Sequence, residues 1–74
     1  MKDKLFRAAK AAAETDYLMG TRTKIEVTPN GLFISASSPT RNAMYRSMDW
    51  AQIESGSDDV VASHINELHA KLLN

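Results

Sequence analysis

The three residues Pro29-Asn30-Gly31 constrain this chain more than any others. They separate two segments that each alternate with period two, so the segments must fold back on each other as an antiparallel hairpin. Before the turn, Thr23, Ile25 and Val27 share one face, and Arg22, Lys24 and Glu26 share the other. After it, residues 32 to 37 form the returning strand. Two registers compete. A type I turn followed by a glycine bulge places Phe33 on the Val27 face and leaves Leu32, Ile34 and Ala36 on the opposite one. A two-residue Asn-Gly turn places Ile34 and Ala36 beside Val27 and Ile25, and then asks Pro29 for a ladder N–H that it lacks. Turn chemistry favours the first register, which predicts an apolar Leu32/Ile34 strip on the outer face of the sheet.

A hairpin alone is marginal in water and must be covered. The flanking segments supply the cover. Residues 3 to 19 are rich in alanine and free of β-branched residues before Thr15, which predicts a helix with Asp3 as N-cap and Gly20 just past its end. Leu5, Phe6, Ala9, Ala12, Ala13 and Tyr17 are expected as its core stripe, with Lys4, Arg7, Ala11 and Glu14 opposite. Residues 42 to 48 suit either a third strand or a second helix with Ser38 as cap and Pro39 at its first position; residues 43 to 48 are read as the strand, because Asp49 to Gln52 matches a capping box with Met48 and Ile53 at the staple positions. A short helical turn from Trp50 to Glu54 follows, and Ser55-Gly56 ends it. Trp50 is read as a lid over the core. The last helix, capped by Ser57 or Asp58, carries Val61, Ile65, Leu68 and Leu72 at +4, +3 and +4, one clean core face. The fold class is therefore α+β: a three-stranded antiparallel sheet flanked by N-terminal and C-terminal helices (α-β-β-β-α), with a short helical turn before the last helix, as a single domain over residues 1–74.

At 74 residues a single small core is expected, and Leu, Ile, Val and Phe together number only 15. The absence of cysteine excludes disulfides, thiolate metal sites and a cysteine nucleophile. No apolar run approaches the roughly 20 residues of a membrane span. Lys10 and Glu14 interrupt the alanine run that follows the basic start, so it does not read as a signal peptide. A cytoplasmic location is expected.

The residues that carry chemistry do not converge. His64 and His69 lie about 140° apart on one helix and cannot chelate as an i,i+4 pair. Both border the core stripe and are read as boundary histidines. His64 and Glu67 are spaced to share a cation. No serine lies in a nucleophile elbow, and Gly20, Gly31 and Gly56 are isolated, so no phosphate loop exists. Neither a catalytic role, nor a metal, nor a cofactor is assigned.

Charge is the feature with structure. The net charge is zero, yet residues 1–46 hold eight basic and four acidic side chains, and residues 47–74 hold one basic and five acidic. Arg22 and Lys24 share the outward face of the first strand, and Arg46 joins them if the third strand lies alongside. With Leu32 and Ile34 they form the candidate binding surface, suited to an acidic or phosphate-bearing partner. The element order resembles the double-stranded-RNA-binding domain in topology alone. Where that family presents a lysine-rich helix start, this chain reads Ser57-Asp58-Asp59-Val60, which repels phosphate. The expected function is that of a small non-enzymatic regulator or inhibitor, of the accessory kind that phages and mobile elements encode, acting by binding another protein. The alternative is a nucleic-acid-binding regulator that uses the basic N-terminal half. A second copy of the chain is a further candidate partner.

Overall fold

The computed structural model describes residues 2–74. Helix α1 spans Lys2–Met19, followed by strands β1 (Arg22–Thr28), β2 (Gly31–Ser38) and β3 (Arg41–Asp49), a short helix α2 (Trp50–Ser55) and helix α3 (Val60–Leu73). The strands form one antiparallel sheet in the order β1-β2-β3. The α-β-β-β-α architecture expected from the pattern is the one observed.

All three helices pack on one side of the sheet: α3 lies over β2 and β3, α1 beside α3 and over β1, and α2 closes the end near β3. Leu32, Ile34 and Ala36 of β2 project into this layer with Met48, and Val61, Ile65, Leu68 and Leu72 of α3 meet them there. The +4, +3, +4 spacing of α3 thus does what helical periodicity demands.

The hairpin register differs from the one turn chemistry favoured. Thr28 is opposite Gly31, Val27 opposite Leu32 and Ile25 opposite Ile34, so the two-residue connection is Pro29-Asn30. Pro29 sits inside the turn, where no ladder N–H is asked of it. Thr28 Oγ1 accepts from the Gly31 amide at 3.1 Å and donates to the Gly31 carbonyl at 2.9 Å, fastening the turn. This register puts Leu32 and Ile34 on the same face as Ile25 and Val27. The apolar strip expected on the outside is the core instead, with Leu32 at 1% and Ile34 at 0% exposure. Burial of three apolar residues outweighs the small preference among turn types.

Helix α1 is rotated from its expected setting. Ala8 and Ala12 are buried, Leu5 packs against the core, and Phe6, Ala9, Ala13 and Tyr17 face solvent. Small residues on the packed side let α1 lie close to α3. Lys4, expected on the outer face, donates from Nζ to the carbonyls of Ile53 (2.8 Å), Glu54 (3.0 Å) and Gly56 (2.9 Å). An ammonium group among the carbonyls at the end of α2 satisfies acceptors that the helix cannot.

The capping reading of α2 is met: Asp49 Oδ1 accepts from the Gln52 amide at 2.7 Å. Trp50 packs against the core and donates from Nε1 to the Pro29 carbonyl at 3.1 Å, tying α2 to the hairpin turn. The N-cap of α3 is Asp59 rather than Ser57 or Asp58, and its side chain makes no capping bond. Asp59 Oδ1 instead accepts from Arg7 at 3.1 Å, an exposed pair.

Candidate binding surface

Alternation along the three strands leaves one sheet face bare of helices. Across it Lys24, Ser35 and Tyr45 form one row, Glu26, Phe33 and Ser47 a second, and Arg22 and Ser37 begin a third. Phe33 and Tyr45 sit diagonally and stack, with ring centroids 5.5 Å apart and planes 21° from parallel. Tyr45 remains 62% exposed and Phe33 38%. Lys24, Glu26, Phe33, Ser35 and Tyr45 line a shallow depression.

Of the residues expected at a binding surface, Arg22 and Lys24 lie on this face and are exposed. Leu32 and Ile34 do not, being core residues of the opposite face. Nor does Arg46. It is opposite Ile34 and points to the helix side, where its guanidinium meets His64 Nδ1 at 3.1 Å and Glu67 Oε2 at 2.7 Å. The space that His64 and Glu67 were spaced to give a cation is filled by Arg46. Its hydrogen bond and charge hold the Glu67 carboxyl below the usual range. The basic face therefore carries two cations and Glu26 rather than three cations and an apolar strip. Phe33 and Tyr45 take the place of Leu32 and Ile34 as its apolar content. The period-two alternation of β3 carried the signal for Tyr45, since Met44 and Met48 mark the inner face. Phe33 was legible only once the register was known.

A second polar cluster lies on the helix side. His69 of α3 is 4% exposed, and its Nε2 is 2.7 Å from Thr23 Oγ1. Thr23 Oγ1 donates to Asp16 Oδ1 at 2.8 Å, Thr21 Oγ1 donates to the same oxygen at 2.7 Å, and the Thr23 amide donates to Oδ2 at 3.0 Å. One hydroxyl has one proton, so His69 Nε2 carries the hydrogen it shares with Thr23, and Nδ1 is left a buried acceptor without a protein partner. The reading of both as boundary histidines thus fails for His69, which is buried, while His64 is half-buried at the boundary.

Burial lowers the His69 pKa from 6.5, with Asp16 at 3.8 Å raising it in part. Partial burial pushes the Asp16 carboxyl up, but the bonds from Thr21 and Thr23 and the attraction of His69 more than offset it, leaving it below 3.8. The unfolded chain therefore binds the His69 proton more tightly than the folded one does. Stability should be level above about pH 7.5 and fall as the pH drops through 6.5. A further loss should follow below 3.8, where the unfolded Asp16 takes up its proton before the folded one does. Urea midpoints measured from pH 8 to 5 should show the first decline, and His69→Gln, which cannot titrate, should flatten it. An unchanged slope in that variant would assign the decline to other groups.

Among the described residues, no three His, Asp or Glu side chains converge to hold a metal ion, and no helix is long and apolar enough to cross a membrane. The chain matches no protein-family model, no curated protein and no solved structure.

Proposed function

We propose that this chain is a small non-enzymatic regulator or inhibitor that binds another protein through the outer face of its sheet. The observation that carries this reading is the stacked Phe33–Tyr45 pair left in solvent on a sheet face whose other side buries Leu32, Ile34, Ala36 and Met48. Aromatic side chains, tyrosine above all, offer a large rigid contact area with a polar tip and are enriched where binding energy concentrates. Arg22 and Lys24 beside them favour an acidic partner and speed its encounter. The size of the chain fits an accessory protein of the kind phages and mobile elements encode, an analogy of character rather than of relationship.

Charge reversal tests this reading. Arg22→Glu with Lys24→Glu should leave the melting curve nearly unchanged, since both side chains are exposed. The same pair should slow association with a partner captured from host lysate, and Tyr45→Ala should speed its release, by roughly tenfold or more. Reversal of Arg41, at the start of β3, should matter less. Capture at full strength by both face variants would sink the proposal.

A stacked aromatic pair beside two cations also offers a ledge for unpaired bases, which favours a nucleic-acid reading as the second one. Glu26 in the same depression opposes phosphate. A labelled single-stranded oligonucleotide decides between the two. Salt-dependent binding, weakened alike for all sequences by the charge reversal, with a salt slope lower by about one unit per lost phosphate contact, would replace a protein partner with nucleic acid.

A further inference from the structure

The outer face of α1 is the least explained surface of the molecule. Phe6 is 69% and Tyr17 88% exposed, and Ala9 and Ala13 between them also face solvent. At about 100° per residue these four fall within an arc of about 80°, on the side of α1 away from Ala8 and Ala12. The side chains that bind α1 to its own chain all lie elsewhere on the helix: Lys4 on α2, Arg7 on α3, Asp16 on β1. No other described element covers the stripe.

We infer that this stripe is the contact by which two copies of the chain associate, α1 against α1 in antiparallel orientation. The sequence of the stripe is its own complement. Two helices related by a two-fold axis between residues 11 and 12 place Phe6 level with Tyr17 of the second copy, since 6 and 17 are equidistant from the axis. Ala9 meets Ala13 and Ala13 meets Ala9 in the middle, where small side chains let the helices approach to about 8 Å. The four layers run large, small, small, large.

The charges complement in the same arrangement. Lys10 and Glu14 share one flank of the stripe, and a two-fold axis brings that flank against itself. In the antiparallel register Lys10 and Glu14 of the second copy differ by about one residue rise along the axis, roughly 1.5 Å, which forms two symmetric ion pairs. A parallel pairing puts this flank of the two copies on opposite sides of the seam and leaves Lys10 and Glu14 without each other as partners. One helix pair of this length lies at the low end of specific interfaces, under about 1,200 Å², so the dimer is a weak one that forms with rising concentration. This inference is independent of the sheet face, which points away from α1 and stays open in the dimer.

Sedimentation equilibrium from about 10 µM to 1 mM tests it. The apparent mass should rise from 8.2 kDa toward about twice that value. Lys10→Glu alone and Glu14→Lys alone should each weaken association by about tenfold, because each sets like charges together twice. The double swap, Lys10→Glu with Glu14→Lys, should restore it to within about threefold of the parent. Both side chains lie in solvent, and the melt of each of the three variants at low concentration checks that the fold is kept. The chain has no cysteine, so single-cysteine variants report orientation directly. Phe6→Cys mixed with Tyr17→Cys should oxidise to the mixed dimer in preference to either homodimer. A mass fixed at 8.2 kDa across the range, failure of the swap to rescue, or cross-linking of Phe6→Cys to itself would each overturn the proposal.

Discussion

Gly31→Ala is expected to destabilise the protein by about 3–5 kcal/mol, the upper range for a single substitution. Gly31 has φ +152°, a region that side-chain-bearing residues avoid. It also begins β2 directly opposite Asp49, the last residue of β3. A Cβ there would run into the carbonyl of Met48 and stand 2.7 Å from Asp49 Cα. Both obstacles are backbone, so neither can swing aside as a side chain would. Relief requires β2 and β3 to part where Asp49 caps α2 and where the turn is fastened to Trp50. Gly20 is the control. It also has positive φ, at +70°, but a Cβ on it meets nothing. Gly20→Ala should cost only about 1–2 kcal/mol, the conformational part alone. Urea denaturation of the two variants gives the comparison directly. Equal losses would mean that the close approach of β3 to Gly31 does not limit the fold.

Leu68→Ala should cost about 2–5 kcal/mol. Leu68 is 2% exposed in the middle of the α3 stripe, between Ile65 and Leu72 and facing the core from β2. Removing its isobutyl group loses burial and leaves a cavity walled by residues of both layers, which sheet and helix relax into only in part. A chain of this length has in total about 4–11 kcal/mol of stability, so the variant loses a large share and can unfold at physiological temperature. Leu18→Ala, in the same type of element but 75% exposed, should change stability by no more than about 0.5 kcal/mol. Thermal melts that failed to separate the two variants would place the α3 stripe outside the core.

Helix α3 and helix α1 show why parts of this fold were legible and parts were not. In α3 Val61, Ile65, Leu68 and Leu72 fall at one spacing, so a single rotation buries all four. In α1 alanine occupies several faces, and two rotations bury similar area. Burial of the aromatic residues Phe6 and Tyr17 would favour one of them. The structure takes the other, because Lys4 then reaches the end of α2 and Asp16 reaches Thr21 and Thr23. The carbonyls that hold Lys4 lie 49 and 52 residues further along the chain, and the Asp16 bonds form only once β1 has turned back beside α1, so no helical pattern announced the choice. Arg46 followed the same rule. Its place three residues before Asp49 gave a strand, while its face depended on pairing with Ile34.

The sequence by itself determined the elements and their order, because periodicity, capping and turn residues act over a few positions. The Asp49 cap, the Gly20 stop, the α3 core face and the antiparallel hairpin are of this kind. Only the tertiary structure decided the hairpin register, the rotation of α1 and the fate of Arg46 and His69. A register shift of one residue leaves every local preference nearly satisfied and exchanges the two faces of β2 at once. The balance is then struck by burial of Leu32, Ile34 and Ala36 against α3, some thirty residues away. The candidate binding surface is the complement of that choice: Phe33 and Tyr45 stand in solvent beside Arg22 and Lys24 because their neighbours in sequence were needed inside.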